Sequence, residues 1–161
     1  MKLAIGLVLL LLPGTLLVQT PAPPDPSPDY PEGYRNWVHV KSALVSPAHR
    51  NFANQGGFQH IYANPQAMIG YRTRAFPEGS MIAFDWLEMT DVNGAFLEGA
   101  RRQVDVMVKD SQRYAKTGGW GFQRFVKDSK TERAAAPAPQ ACFTCHDNLK
   151  KDGLVLSSYR Q

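Results

Sequence analysis

Near its C-terminus the chain reads Cys142-Phe143-Thr144-Cys145-His146, and these are its only 2 cysteines. Two thiols three positions apart, followed at once by an imidazole, form the attachment pattern of a c-type haem. Each thiol adds across one vinyl group of the porphyrin, and the histidine ligates the iron from below. Other chemistries of a Cys-x-x-Cys pair use less of the sequence. A disulfide leaves His146 without a role, and a zinc site needs further thiol or imidazole ligands at matching spacing. A thioredoxin-like redox pair follows an early strand, whereas this pair is late in the chain. The expected cofactor is one haem c, bound through Cys142 and Cys145, with His146 as metal ligand.

Covalent haem attachment takes place outside the cytoplasm, and the chain begins accordingly. Lys2 precedes an apolar run from Leu3 to Val18 broken only by Gly6, Pro13, Gly14 and Thr15, which reads as a secretory signal. Cleavage after Thr20 and Ala22 would place Pro23 next to the cut, a poor substrate, so residues 1–22 are either a signal peptide or an N-terminal anchor. As a helix the run spans roughly 24 Å, short of a bilayer core of about 30 Å. Residues 23–31 are proline-rich and read as an extended tether. Residues 32–161 remain for one haem domain. The expected location is the periplasm, free or tethered to the membrane. The formal charge of +4 comes from scattered basic residues, which predicts no nucleic-acid surface.

The elements that must position the motif are mainly strands. Two-residue alternation marks Trp37–Lys41, Phe58–Ala63, Ser80–Met89, Arg101–Val108 and Gly119–Lys127. Asn64-Pro65-Gln66-Ala67-Met68 reads as a capped helix start with proline in the first turn. Asp110–Lys116 reads as a short helix stopped by Gly118 and Gly119, and the cysteine motif is expected to open a C-terminal helix reaching Gly153. The predicted fold class is α+β: a mainly antiparallel sheet of about five strands with short helices, the last carrying the haem. A four-helix-bundle cytochrome would lack the strand alternation. A small electron-transfer cytochrome carries its motif early, with a methionine ligand after it, whereas here 15 residues follow His146 and none is methionine.

Several segments together, in order, carry a resemblance: Tyr34-Arg35-Asn36-Trp37-Val38-His39-Val40, Ile61-Tyr62-Ala63-Asn64-Pro65, Val106-Met107-Val108-Lys109-Asp110-Ser111, Gly118-Gly119-Trp120-Gly121-Phe122, and Cys142 to His146. The chain resembles the cytochrome P460 family and, within it, the cytochromes c′-β. The resemblance implies a sheet-rich homodimer with a five-coordinate haem whose proximal ligand is His146. Hydroxylamine-oxidising members cross-link a strand lysine to the porphyrin, and c′-β members instead cap the distal face with phenylalanine. The lysine position falls on Phe84, and Ser80–Met89 contains no lysine. The haem is therefore expected to have two thioethers and no lysine bond.

Phe84 shares its strand face with Ile82 and Trp86 by parity and is the first candidate for an apolar distal wall. Phe58 is the second, with Phe52 behind it. Under such a cap bound dioxygen finds no hydrogen bond, whereas nitric oxide binds strongly without one. The segment Ala134–Gln140 offers no carboxylate to act as the base that hydroxylamine oxidation needs. His39, His49 and His60 are possible sixth ligands that more often serve as surface or hydrogen-bonded residues. Met68, Met81, Met89 and Met107 look like core filling, and Lys41, Lys109 and Lys127 like solvated strand ends. Arg72, Arg74, Arg101 and Arg124 could each hold a haem propionate. The expected function is binding of nitric oxide or a similar diatomic gas, with a redox partner the sequence does not identify. The alternatives are a hydroxylamine or nitric oxide oxidoreductase and a plain electron carrier.

Overall fold

A computed structural model describes residues 27–50, 52–135 and 139–160, so the signal or anchor segment and the first part of the tether lie outside the described residues. Five strands form one antiparallel sheet in the order β1-β2-β3-β4-β5: β1 Val38–Val45, β2 Gly57–Ala63, β3 Met81–Val92, β4 Ala95–Lys109 and β5 Trp120–Val126. This is the α+β fold expected from the alternation. No described helix is long and apolar enough to cross a membrane.

Both faces of the sheet are covered, which is why β3 is apolar at nearly every position from Ile82 to Leu87. On one face Ile61, Ile82, Met107, Trp120 and Phe122 pack with Met68, Tyr71, Leu154 and Val155. On the other, Ala83, Val104, Val106 and Phe125 pack with Tyr34. The second face buries Asp85, which accepts hydrogen bonds from Tyr34 Oη at 2.7 Å, Arg35 Nε at 3.1 Å and Arg101 Nε at 2.7 Å. A carboxylate removed from water is tolerated only with such partners. The end of the proline-rich stretch belongs to this face: Pro28 and Pro31 are buried, and Tyr30 sits edge-on to Phe125 with centroids 5.2 Å apart.

The strands run further than the alternation indicated. A bulge between His39 and Lys41 turns Val40 into the core and lets β1 continue to Val45. β3 and β4 extend as a hairpin around Asn93 (φ 54°) and Gly94 (φ 86°), the chemistry of a tight hairpin turn.

The helices are short and capped by their own sequence. In α2, Pro65–Thr73, the Asn64 side chain accepts from Ala67 N at 2.9 Å and from Met81 N at 3.0 Å, and its amide donates to the Gly79 carbonyl at 2.9 Å. One side chain thus starts the helix and fixes the entry to β3. The helix expected at Asp110–Lys116 is instead a turn in which Asp110 accepts from Gln112 N and Arg113 N, then a 3-10 turn at Ala115–Thr117 ended by Gly118 (φ 66°). A single helical turn, α1 (Phe52–Gln55, 4 residues), lies between β1 and β2. The last helix, α3, spans Pro139–His146, so the cysteine motif closes it and does not open it. Proline at the first helical position sets that earlier start. A 3-10 stretch, Asp147–Asp152, follows and ends at Gly153.

Candidate haem-attachment site

Helix α3 packs on β5. Cys142 is half-buried against the core, Cys145 is exposed, and both thiols are free. Three positions apart on a helix, they share one side. Burial pushes the Cys142 thiol up; the Asp105 carboxylate adds to that rise, and the Arg124 guanidinium opposes it.

His146 is held by main-chain geometry. Gly153 and Leu154 both adopt left-handed backbone, each at φ 66°, and this reversal brings the Leu154 carbonyl to 2.7 Å from His146 Nδ1. A carbonyl can only accept, so Nδ1 carries the proton and Nε2 keeps its lone pair, the tautomer an iron ligand requires. Burial lowers the imidazole pKa, with the Leu154 bond working the other way, which favours the neutral ring. The reversal is braced twice. Trp120 Nε1 donates to the Gly153 carbonyl at 3.0 Å, and Gly118 leaves space that a Cβ would fill at 2.5 Å from Leu154 Cδ1. A left-handed leucine costs about 1–2 kcal/mol. Two free thiols on one side of a helix and an imidazole with a free Nε2 fit a c-type haem.

The sequence candidates fall on two faces. Phe84 is half-buried on the motif's face, where it packs against the cluster that includes Cys142, and its cross-strand neighbours are Ile61 and Asp105. Phe58 is not there. It pairs with Leu44 and Leu87 and stacks on His60 with centroids 6.0 Å apart, on the opposite face. The reason is parity: Ile61, the partner of Phe84, is three residues from Phe58, and an odd separation places the two on opposite sides. His39 and His60 share that far face. They flank Ser42, at 2.9 Å from His39 Nε2 and 2.7 Å from His60 Nδ1, and His60 Nε2 lies 2.8 Å from Glu98, so neither reaches the motif. His49 is exposed in the turn after β1, and Phe52 lies against Gly56. Met68 and Met107 are core filling.

Of the four arginines, Arg101 binds Asp85 and Asp128 on the far face, Arg74 closes α2 at 3.8 Å from Asp152, and Arg72 is exposed. Arg124 points from the sheet onto the motif's face, paired with Asp105, and Arg74 lines a cavity on the same side together with Phe143 of the motif. Asp105 went unrecognised in the sequence because only the pairing of β3, β4 and β5 brings it beside Phe84. Trp86, on the same face by parity, has a buried indole N–H with no acceptor among the described residues.

A two-faced five-stranded sheet with a Cys-x-x-Cys-His helix on one side defines an α+β haem cytochrome. The chain belongs to the Cytochrome P460 family, whose model matches residues 31–157. No curated protein matches it. Membership of that family makes this a haem protein.

Proposed function

We propose that the protein is an exported monohaem cytochrome of the c′-β kind that binds nitric oxide and similar diatomic gases. The haem is covalently joined to Cys142 and Cys145, His146 is the only protein ligand, and Phe84 contributes to an apolar wall beside the open coordination position. The observation that carries this reading is the combination of His146, locked through Nδ1 by the Leu154 carbonyl, with Phe84 on the same face at a strand position where no lysine stands. When bound, the haem supplies the gas-binding iron. The chain's own residues hold the imidazole neutral and oriented, and Phe84 offers a bound ligand no hydrogen bond. The Leu3–Val18 run supports export to the periplasm, and the family resemblance supports a homodimer.

The optical spectrum of the ferrous protein, with and without nitric oxide, tests this together with the intact mass. A five-coordinate high-spin spectrum that changes on adding nitric oxide, with a mass equal to chain plus one haem, is the expected result. A six-coordinate low-spin spectrum would favour the electron carrier instead.

One observation favours the enzymatic reading as a second possibility: the Asp105 carboxylate lies on the motif's face, where a base for hydroxylamine oxidation would be needed. Reduction of the ferric haem by hydroxylamine with turnover would select it.

A further inference from the structure

The sheet face that carries α3 is mostly aromatic and aliphatic, and toward its β5 edge it is interrupted by an ion pair. Asp105 on β4 and Arg124 on β5 stand opposite one another in register. Arg124 donates from Nε to one carboxylate oxygen at 2.6 Å and from Nη2 to the other at 2.7 Å, and Gln103 Nε2 donates to Asp105 at 3.2 Å. This fork-on-fork geometry is the strong form of an arginine–carboxylate contact. Asp105 is also the cross-strand neighbour of Phe84, and α3 packs on β5. The pair therefore lies between the strand bearing Phe84 and the helix bearing the thiols. Both charges act on the Cys142 thiol, the carboxylate raising its pKa and the guanidinium lowering it, which places them within electrostatic reach of the haem-attachment point. The side chains are 24% and 23% exposed, so water screens them only in part.

An ion pair on an ordinary surface adds little to stability, but beside a metal that changes charge by one unit it has a second consequence. A nearby carboxylate stabilises the ferric state and a nearby guanidinium the ferrous state, and net charge around a haem is one of the protein's means of setting its potential. We propose that Asp105 and Arg124 face the haem and poise its iron, their opposed effects largely cancelling while both are charged. The inference rests on haem attachment at Cys142 and Cys145 and is independent of which gas binds.

Spectroelectrochemical titration of the haem-loaded protein tests it. Asp105→Asn uncovers the guanidinium and shifts the midpoint potential positive; Arg124→Gln uncovers the carboxylate and shifts it negative. The double variant returns toward wild type, and Arg124→Lys, which keeps the charge, stays near it. A purely structural role cannot give opposite signs. Unchanged potentials in both single variants, or shifts of the same sign, overturn the proposal. Where Arg124→Gln does not fold, Asp105→Asn against Asp105→Glu decides: only the first shifts the potential if charge is responsible, and equal behaviour of the two refutes it. A pyridine haemochrome assay reports attachment separately. Wild-type protein without thioether-linked haem overturns the attachment reading and this proposal together, whereas haem-loaded variants with unmoved potentials overturn this proposal alone.

Discussion

His146 and Leu154 are joined by a 2.7 Å hydrogen bond from imidazole Nδ1 to a main-chain carbonyl, so the ring's orientation depends on a backbone reversal eight residues away. Gly153→Ala tests that dependence. A Cβ there lies 2.8 Å from Phe76 Cδ2 at φ 66°, a left-handed position that costs alanine about 1–2 kcal/mol before any overlap. The expected outcome is a lower Tm together with an altered haem spectrum. A wild-type spectrum and Tm would show that the ring is held by something else.

Phe84→Ala should open the pocket while leaving the fold intact, since Phe84 is half-buried on a strand whose other residues keep it in place. Carbon monoxide association by flash photolysis is expected to become faster. Identical rates for the variant and the parent would remove Phe84 from the ligand's path, and Phe58→Ala, on the far face, should leave the rates unchanged.

Acid stability follows from Asp85. Burial pushes its carboxyl up, but the hydrogen bonds from Arg101, Tyr34 and Arg35 and the Arg101 charge outweigh burial and hold the pKa below the ordinary aspartate value. A depressed folded pKa contributes stability that is present above the unfolded value and is lost as pH falls through the folded one. Urea unfolding should therefore show stability declining below about pH 4, where an unfolded aspartate begins to titrate. Asp85→Ala, which strands Arg101, is expected to cost about 3–5 kcal/mol at pH 7 and to flatten the acid limb. A parallel limb in the variant would assign it to another group.

Asn64→Ala should cost more than the ~1 kcal/mol of an ordinary helix cap, because the same side chain also binds Met81 N and the Gly79 carbonyl. About 2 kcal/mol is expected from chemical denaturation. A loss of only a few tenths would mean that water replaces these bonds.

Trp86→Phe carries the opposite sign. Among the described residues the buried indole N–H has no acceptor, and an unpaired buried donor costs about 1–3 kcal/mol, so its removal should be neutral or stabilising in a thermal melt despite the smaller ring. A clear fall in Tm would reveal an acceptor or a packing role for the nitrogen edge.

How much of this was readable in advance depends on the range of the interactions. Asn64-Pro65 declared its helix because capping is local, and Phe84 declared its face because parity runs along a single strand. Phe58 was misplaced because its face relative to Phe84 is fixed by the pairing of Ile61 with Phe84, a contact between strands. Asp105 was invisible for the same reason, three strands being needed to bring it from β4 to the motif. Residues 90–100 are exposed on nearly every side and gave no alternation, although Asn93-Gly94 could have announced the hairpin. The lock on His146 comes from a carbonyl, which no side-chain pattern encodes.

The covering of both faces of the sheet has a consequence for how the molecule breathes. β3 is the central strand, paired on both sides and shielded above and below, so amides from Ile82 to Leu87 should exchange with solvent only when the whole domain opens. Helix α3 rests on β5, an edge strand, so its amides are expected to exchange sooner than those of the central strand.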